Sequence, residues 1–236
     1  MTLSILYQDD SMVAISKPSG MLVHRGAARD GEIAMLLLRD QIGAWVYPVH
    51  RLDRATSGVL LFGLTKTATA ALQASLTAGQ KEYYALVRGT PPESAHIDHP
   101  VPNEEGGVKV EARTDMTRFA FFNPEGAPFP NYYSWVSARP STGRRHQIRR
   151  HLRHLGHPLI GDTTYGRADH NHYFRDAFGL KRLALHASSI VLDHPLSGES
   201  MRLFAPLPDD LREPLICAGL VHATVSENRT AVNADR

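Results

Sequence analysis

Cysteine is almost missing from this chain. Cys217 is the only one, so no intramolecular disulfide can form, and a zinc site built on several thiolates is excluded. Long apolar runs are missing too. No stretch approaches the roughly 18 residues that a bilayer-spanning helix needs, and residues 1–7 lack the basic start and apolar core of a secretion signal. A cytoplasmic chain without membrane contact is expected. Nor is there an excess of one charge. Twenty-six basic residues stand against 24 acidic ones, a formal net charge of +2, so a polyanionic partner must be argued from where the charge lies. There is no internal repeat and no low-complexity segment. What remains, 236 residues with 42% hydrophobic and 21% charged, fits a soluble chain long enough to bury one sizeable core.

Short strands are expected at residues 4–7 and 12–16, separated by Gln8-Asp9-Asp10. The Lys17-Pro18-Ser19-Gly20 turn follows, with proline presetting its first angle and glycine relaxing its exit. Next come an extended run over 21–24, a helix over 32–40 stopped by Gly43, and a helix over 66–78 capped by Thr65 and ended at Gly79. Residues 81–88 alternate as a strand, with Tyr83, Ala85 and Val87 on one face. Between 91 and 130 only one strand is legible, near 112–122, and 123–130 reads as a loop. A strand over 132–138 leads to a helix that opens at Thr142 and is ended by Gly156 and Pro158. Beyond it, 169–178 reads as a loop or short helix, 183–192 and 201–204 as strands, and 206–220 as a weak helix containing Pro214. The mix supports an α+β fold. Residues 1–220 are expected to form one domain, and the polar, aperiodic 221–236 a frayed tail.

Two stretches concentrate functional groups. In the first, His50-Arg51-Leu52-Asp53-Arg54-Ala55-Thr56-Ser57-Gly58 runs into an apolar strand over 59–64. That places Asp53 at the rim of a sheet, a rigid support for a carboxylate, with the Arg51 and Arg54 guanidiniums on either side. Either Asp53 pairs with an arginine and pins a turn, or it is a catalytic carboxylate beside arginines that hold a polyanion. In the second stretch, 131–161, there is no acidic residue but there are six arginines. Ile148, Leu152 and Leu155 form the apolar stripe of its helix. Arg145 and Arg149 fall on the margin of that stripe, and His146, Arg150 and Arg153 point away from it.

The first stretch, His-Arg-Leu-Asp-x-x-Thr-Ser-Gly, has seven specified positions out of nine and resembles the signature loop of the RluA-type pseudouridine synthases. Lys81-Glu82-Tyr83 fits a second motif of that family, and Thr142-Gly143-Arg144-x-His146-Gln147-Ile148-Arg149-x-His151-Leu152 resembles a third. The opening strand, Lys-Pro-Ser-Gly turn and Val-His also match the start of the family's catalytic domain. From that match no accessory RNA-binding domain is expected in front.

The resemblance implies a mixed, mostly antiparallel β-sheet with flanking helices, and an isomerase that converts uridine in RNA to pseudouridine without a cofactor or metal. It makes Asp53 the catalytic residue, Arg149 the arginine that pairs with it, and Tyr83 the ring that stacks on the everted base. Arg51 would fill the gap left by that base, and Arg54, Arg145, Arg150 and Arg153 are candidate contacts to RNA. The nearest branch of the family acts on uridine 65 of certain tRNAs, so tRNA is the expected partner, with ribosomal RNA or another tRNA position as the alternative. A monomer without an obligate protein partner is expected.

Duller readings stand beside these. Tyr83 alone reads as a core aromatic, His186 as a satisfied strand histidine, Lys17 as structural, and Arg150 and Arg153 as a solvated helix face. Two rival functions remain. One is a metal hydrolase built on His151-x-x-His154-x-x-His157, although no nearby glutamate completes a zincin pattern. The other is a non-catalytic RNA-binding protein.

Overall fold

The computed structural model describes residues 2–25, 31–103 and 106–220. In chain order the elements begin with β1 (Ser4–Gln8), β2 (Met12–Lys17), α1 (Ala34–Ile42), β3 (Tyr47–Pro48), β4 (Ser57–Gly63), α2 (Lys66–Ala78) and β5 (Gln80–Arg88). The middle adds β6 (Ser94–Asp98), β7 (Val101–Pro102), β8 (Lys109–Val110), β9 (Arg113–Phe122) and β10 (Tyr133–Pro140). The last third adds α3 (Gln147–His154), α4 (Ala168–Phe178), β11 (Leu185–Asp193), β12 (Ser200–Phe204) and α5 (Asp209–Cys217). The fold is α+β with mostly antiparallel strands. Leu22 and Ile33 form a parallel bridge. The described residues divide into two compact units, 2–79 with 188–207, and 80–187 with 208–220. No helix among them is long and apolar enough to cross a membrane.

In the first unit β2 lies between β1 and β4, antiparallel to both, and β3 pairs with the end of β4. β4 is buried at every position, from Ser57 to Gly63, which is why it reads as a continuous apolar run instead of an alternating one. Helix α2 covers this sheet. Leu72 and Leu76 pack with Met12, Ala14, Val59 and Leu61, and with Ile190, Leu192 and Leu203 of the β11–β12 hairpin. The Thr65 hydroxyl accepts the Ala68 N–H at 3.1 Å, the expected cap. Gly63 lets the first turn of α2 sit on β4, since a Cβ there would lie 2.3 Å from Thr69 Oγ1 and 2.8 Å from its backbone nitrogen.

In the second unit the strand order is β5-β10-β9-β6, all antiparallel. Helix α3 is fastened to the start of β9. Gln147 Nε2 donates to the Arg113 carbonyl (2.8 Å), and His151 Nδ1 is 2.9 Å from Thr114 Oγ1. Phe122, Tyr133, Phe174 and Phe178 form the aromatic seam that holds α4.

Several boundaries differ from the sequence reading. The helix expected from Thr142 begins at Gln147, because the Gln147 side chain folds back and accepts from Thr142 Oγ1 (2.7 Å) and Arg144 N (3.0 Å). Those bonds hold 142–146 as a loop that ends in His146 at a left-handed φ of 54°. Of the extended run over 21–24, only Leu22 makes a bridge. Strands β6, β7 and β8 carry no clear sequence signal, since β6 surrounds its single buried residue, Ile97, with polar and small ones and the other two are two residues long. Residues 168–178 are a full helix, ended by Gly179 in the left-handed region. The tail expected at 221–236 lies outside the described residues.

Candidate active site

Asp53 sits in the loop between β3 and β4, and three sets of bonds shape that loop. At its base the Val49 N–H donates to the Leu61 carbonyl (2.9 Å) and the Leu61 N–H donates to His50 Nε2 (3.2 Å). Nε2 is thus the acceptor, which assigns the proton of a neutral His50 to Nδ1. At its tip the Thr56 N–H donates to the Asp53 carbonyl (3.0 Å), closing a turn over 53–56.

At its side the Lys17–Gly20 turn is stitched to the same segment. Gly20 N donates to Arg54 O (2.8 Å), Arg54 Nε returns a bond to Gly20 O (2.8 Å), and Ser19 Oγ donates to Ala55 O (2.8 Å). The fully buried Lys17 completes the clamp, with Nζ 2.9 Å from the Pro18 and Met21 carbonyls and 3.3 Å from that of Arg54. Burying an ammonium is costly unless it is well supplied with acceptors, so its place here is structural. Asp53 is half-buried, and Arg51 and Arg54 are exposed.

The second group of site residues belongs to the other unit. Tyr83, half-buried, stands opposite Ala138 in the β5–β10 pair. On α3, Arg149 is buried and makes a two-pronged bond to Asp162, Nε to Oδ2 and Nη2 to Oδ1, both 2.8 Å. Asp162 Oδ1 also accepts the N–H groups of Thr164 and Tyr165, both at 2.9 Å. Burial pushes the Asp162 carboxyl up, but the Arg149 guanidinium and these two N–H groups outweigh it and hold the group below the usual carboxylate range.

Tyr165 gathers the arginines of α3. Its ring centroid lies 5.1 Å from the guanidinium carbon of Arg149, 5.7 Å from that of Arg150 and 5.8 Å from that of Arg153. Its hydroxyl oxygen accepts from Arg150 Nε at 2.9 Å, and Arg150 Nη1 donates to the Pro102 carbonyl at 2.6 Å. Arg150 and Arg153, which share a face in the sequence reading, therefore differ: Arg153 is exposed, while Arg150 is half-buried and bonded to protein oxygens. Arg145 is half-buried in the loop before α3.

The three regularly spaced histidines go to separate partners. His151 bonds Thr114 and the His99 carbonyl, His154 stacks on His99 with centroids 3.7 Å apart, and His157 bonds the Arg88 carbonyl. His186 is fully buried in β11. The sequence reading assigned no role to Asp162 or Tyr165. The only signal was Gly161-Asp162 and Tyr165-Gly166 standing a short way past the arginine helix, a spacing that does not say which arginine they meet.

A family model described as RNA pseudouridylate synthase matches residues 11–154. The chain belongs to the RNA pseudouridylate synthase family. It is an isomerase that converts uridine to pseudouridine. Asp53, Tyr83 and Arg149 lie inside the matched residues; Asp162 and Tyr165 lie beyond them. The chain is 38% identical to the tRNA pseudouridine synthase C of Vibrio cholerae, over 88% of this chain and 92% of that one. It is 40% identical to the tRNA pseudouridine synthase C of Pectobacterium carotovorum, over 86% of this chain but 58% of that protein's length. Among solved structures, human RNA pseudouridylate synthase domain containing 1 superposes with a TM-score of 0.71 at 25% identity, covering 89% of this chain and 86% of that one.

Proposed function

We propose that this synthase modifies tRNA, at uridine 65, with Asp53 as its catalytic carboxylate. The tRNA assignment is supported by the names of the two bacterial relatives. The position follows from the branch of the family that the motifs resemble. The observation that carries the site is the loop over 50–58, whose Asp53 sits on a clamp of backbone bonds above a fully buried strand. Such a support holds a carboxylate to one geometry.

The reaction breaks the bond from the anomeric carbon to N1, turns the base, and rejoins the same carbon to C5. The hydrogen of C5 leaves to solvent and N1 gains one, so atoms balance without any added reagent. Asp53 serves the anomeric centre. Arg149 is the arginine that the family resemblance assigns to that carboxylate, a role suited to a side chain that keeps its charge. Tyr83 stacks on the everted base, worth about 1–3 kcal/mol against the few kcal/mol that turning it out costs. Arg51 fills the vacated place in the RNA. Arg54, Arg145, Arg150 and Arg153 contribute positive charge toward the RNA backbone, and a tRNA substrate fits a cytoplasmic enzyme acting as a single chain.

The test is Asp53→Asn together with pseudouridine mapping in a strain that lacks the gene. The variant is expected to bind an unmodified tRNA transcript while releasing no tritium from its 5-tritiated uridine. The strain should lose pseudouridine at position 65 alone. Turnover by the variant would remove Asp53 from its role, and a loss in ribosomal RNA instead would reassign the substrate.

A further inference from the structure

We propose that Asp162 is a positioning residue of this synthase, which fixes the orientation of the Arg149 guanidinium from a rigid turn built for that purpose. The inference rests on the reading that Arg149 serves the reaction.

The turn is closed from several directions. Gly161 takes a left-handed φ of 77°, and a Cβ there would lie 2.0 Å from the Arg182 carbonyl oxygen. A Cβ on Gly166 would lie 2.3 Å from the Asp162 carbonyl oxygen. From α4, Asn171 grips both neighbouring peptides: its Oδ1 accepts from Gly161 N (2.8 Å) and its Nδ2 donates to Asp162 O (3.1 Å). Gly166 N donates to Asp162 O as well, at 3.0 Å. The Asp162 carboxylate inside this turn therefore has a fixed direction before any arginine reaches it.

Both carboxylate oxygens are engaged. Oδ1 receives Arg149 Nη2 and two backbone N–H groups, and Oδ2 receives Arg149 Nε. The planar fork of Arg149 is thus held at two of its donors, while the Tyr165 ring lies 5.1 Å from its central carbon. A buried ion pair is weak evidence of a stabilising role, since a well-packed apolar pair often serves stability as well or better. What an apolar pair cannot do is aim a guanidinium. The investment of two close-packed glycines, an asparagine clamp and two N–H groups in one carboxylate is the signature of aim.

The experiment measures single-turnover pseudouridine formation and RNA affinity for Asp162→Asn, Arg149→Met and the double variant, on unmodified tRNA transcript. A misaimed arginine is expected to slow the Asp162→Asn reaction about 100-fold with RNA affinity within about threefold of wild type. Arg149→Met should be as slow, and adding Asp162→Asn to it should cost nothing more. An equal further loss in the double variant would make Asp162 merely structural and overturn the proposal. Full activity of Arg149→Met would instead overturn the reading of Arg149 beneath it. If Asp162→Asn does not fold, Asn171→Ala loosens the same turn from outside. It should slow the reaction with affinity retained, and an unchanged rate in that variant would equally defeat the proposal.

Discussion

Arginine does three different jobs within a few residues of α3, and burial separates them. Arg149 is bonded at two points to a buried carboxylate, Arg150 is tied to Tyr165 and Pro102, and Arg153 remains exposed beside the same ring. Charge alone does not distinguish them in the sequence. The difference predicts their response to salt. A guanidinium that meets a phosphate releases a counterion, so Arg153→Ala should flatten the salt dependence of RNA binding by about one unit of slope. Filter binding of tRNA transcript at several ionic strengths measures it. A variant with the wild-type slope would show that Arg153 meets no phosphate.

At the scale of elements, the loop that carries Asp53 depends on the strand and helix beneath it. Gly63 ends β4 where the first turn of α2 closes over it, and no room remains for a methyl group beside Thr69. Gly63→Ala must push that turn away, an overpacking cost of about 1–3 kcal/mol, visible as a lower melting temperature. A variant melting like wild type would mean that α2 can shift without loss. The same scale explains which elements were legible. Helix α2 matched its expected bounds because its cap, its leucine pair and its terminal glycine are all local signals. Helix α3 did not, because Gln147 folds back on Thr142 and Arg144 and replaces the expected first turn with a loop. Edge strand β6 gave no signal, as its partner β9 supplies the pairing that its own polar residues do not announce.

For the molecule as a whole, buried histidines set an acid limit. Burial holds the imidazoles of His151 and His170 below their usual 6.5; for His151 the bond to the His99 carbonyl opposes this only in part. With the folded value depressed, the unfolded chain takes up protons first as pH falls below 6.5. The histidine contribution is therefore intact above that value and is lost progressively between 6.5 and the lower folded values. Thermal melts should show a lower midpoint at about pH 5 than at about pH 7.5, in the direction that linkage requires. An equal or higher midpoint in acid would contradict the buried, neutral state of these rings.

The sequence by itself determined the family, the α+β class, the bounds of helix α2 and the presence of the strand after Asp53, and it singled out Asp53 as the candidate carboxylate. These rest on contiguous residues, where order, spacing and capping chemistry act within a few positions of one another. Only the tertiary structure decided that Lys17 is a buried clamp on the Arg54 carbonyl, that Arg150 is bonded to the Tyr165 hydroxyl and the Pro102 carbonyl, and that Arg149 is bonded to Asp162. Each of those facts joins residues 13 or more positions apart, and the Arg150–Pro102 bond spans 48. Which donor finds which acceptor across such gaps is settled by packing, because a buried polar group must be bonded to whatever the fold brings near it.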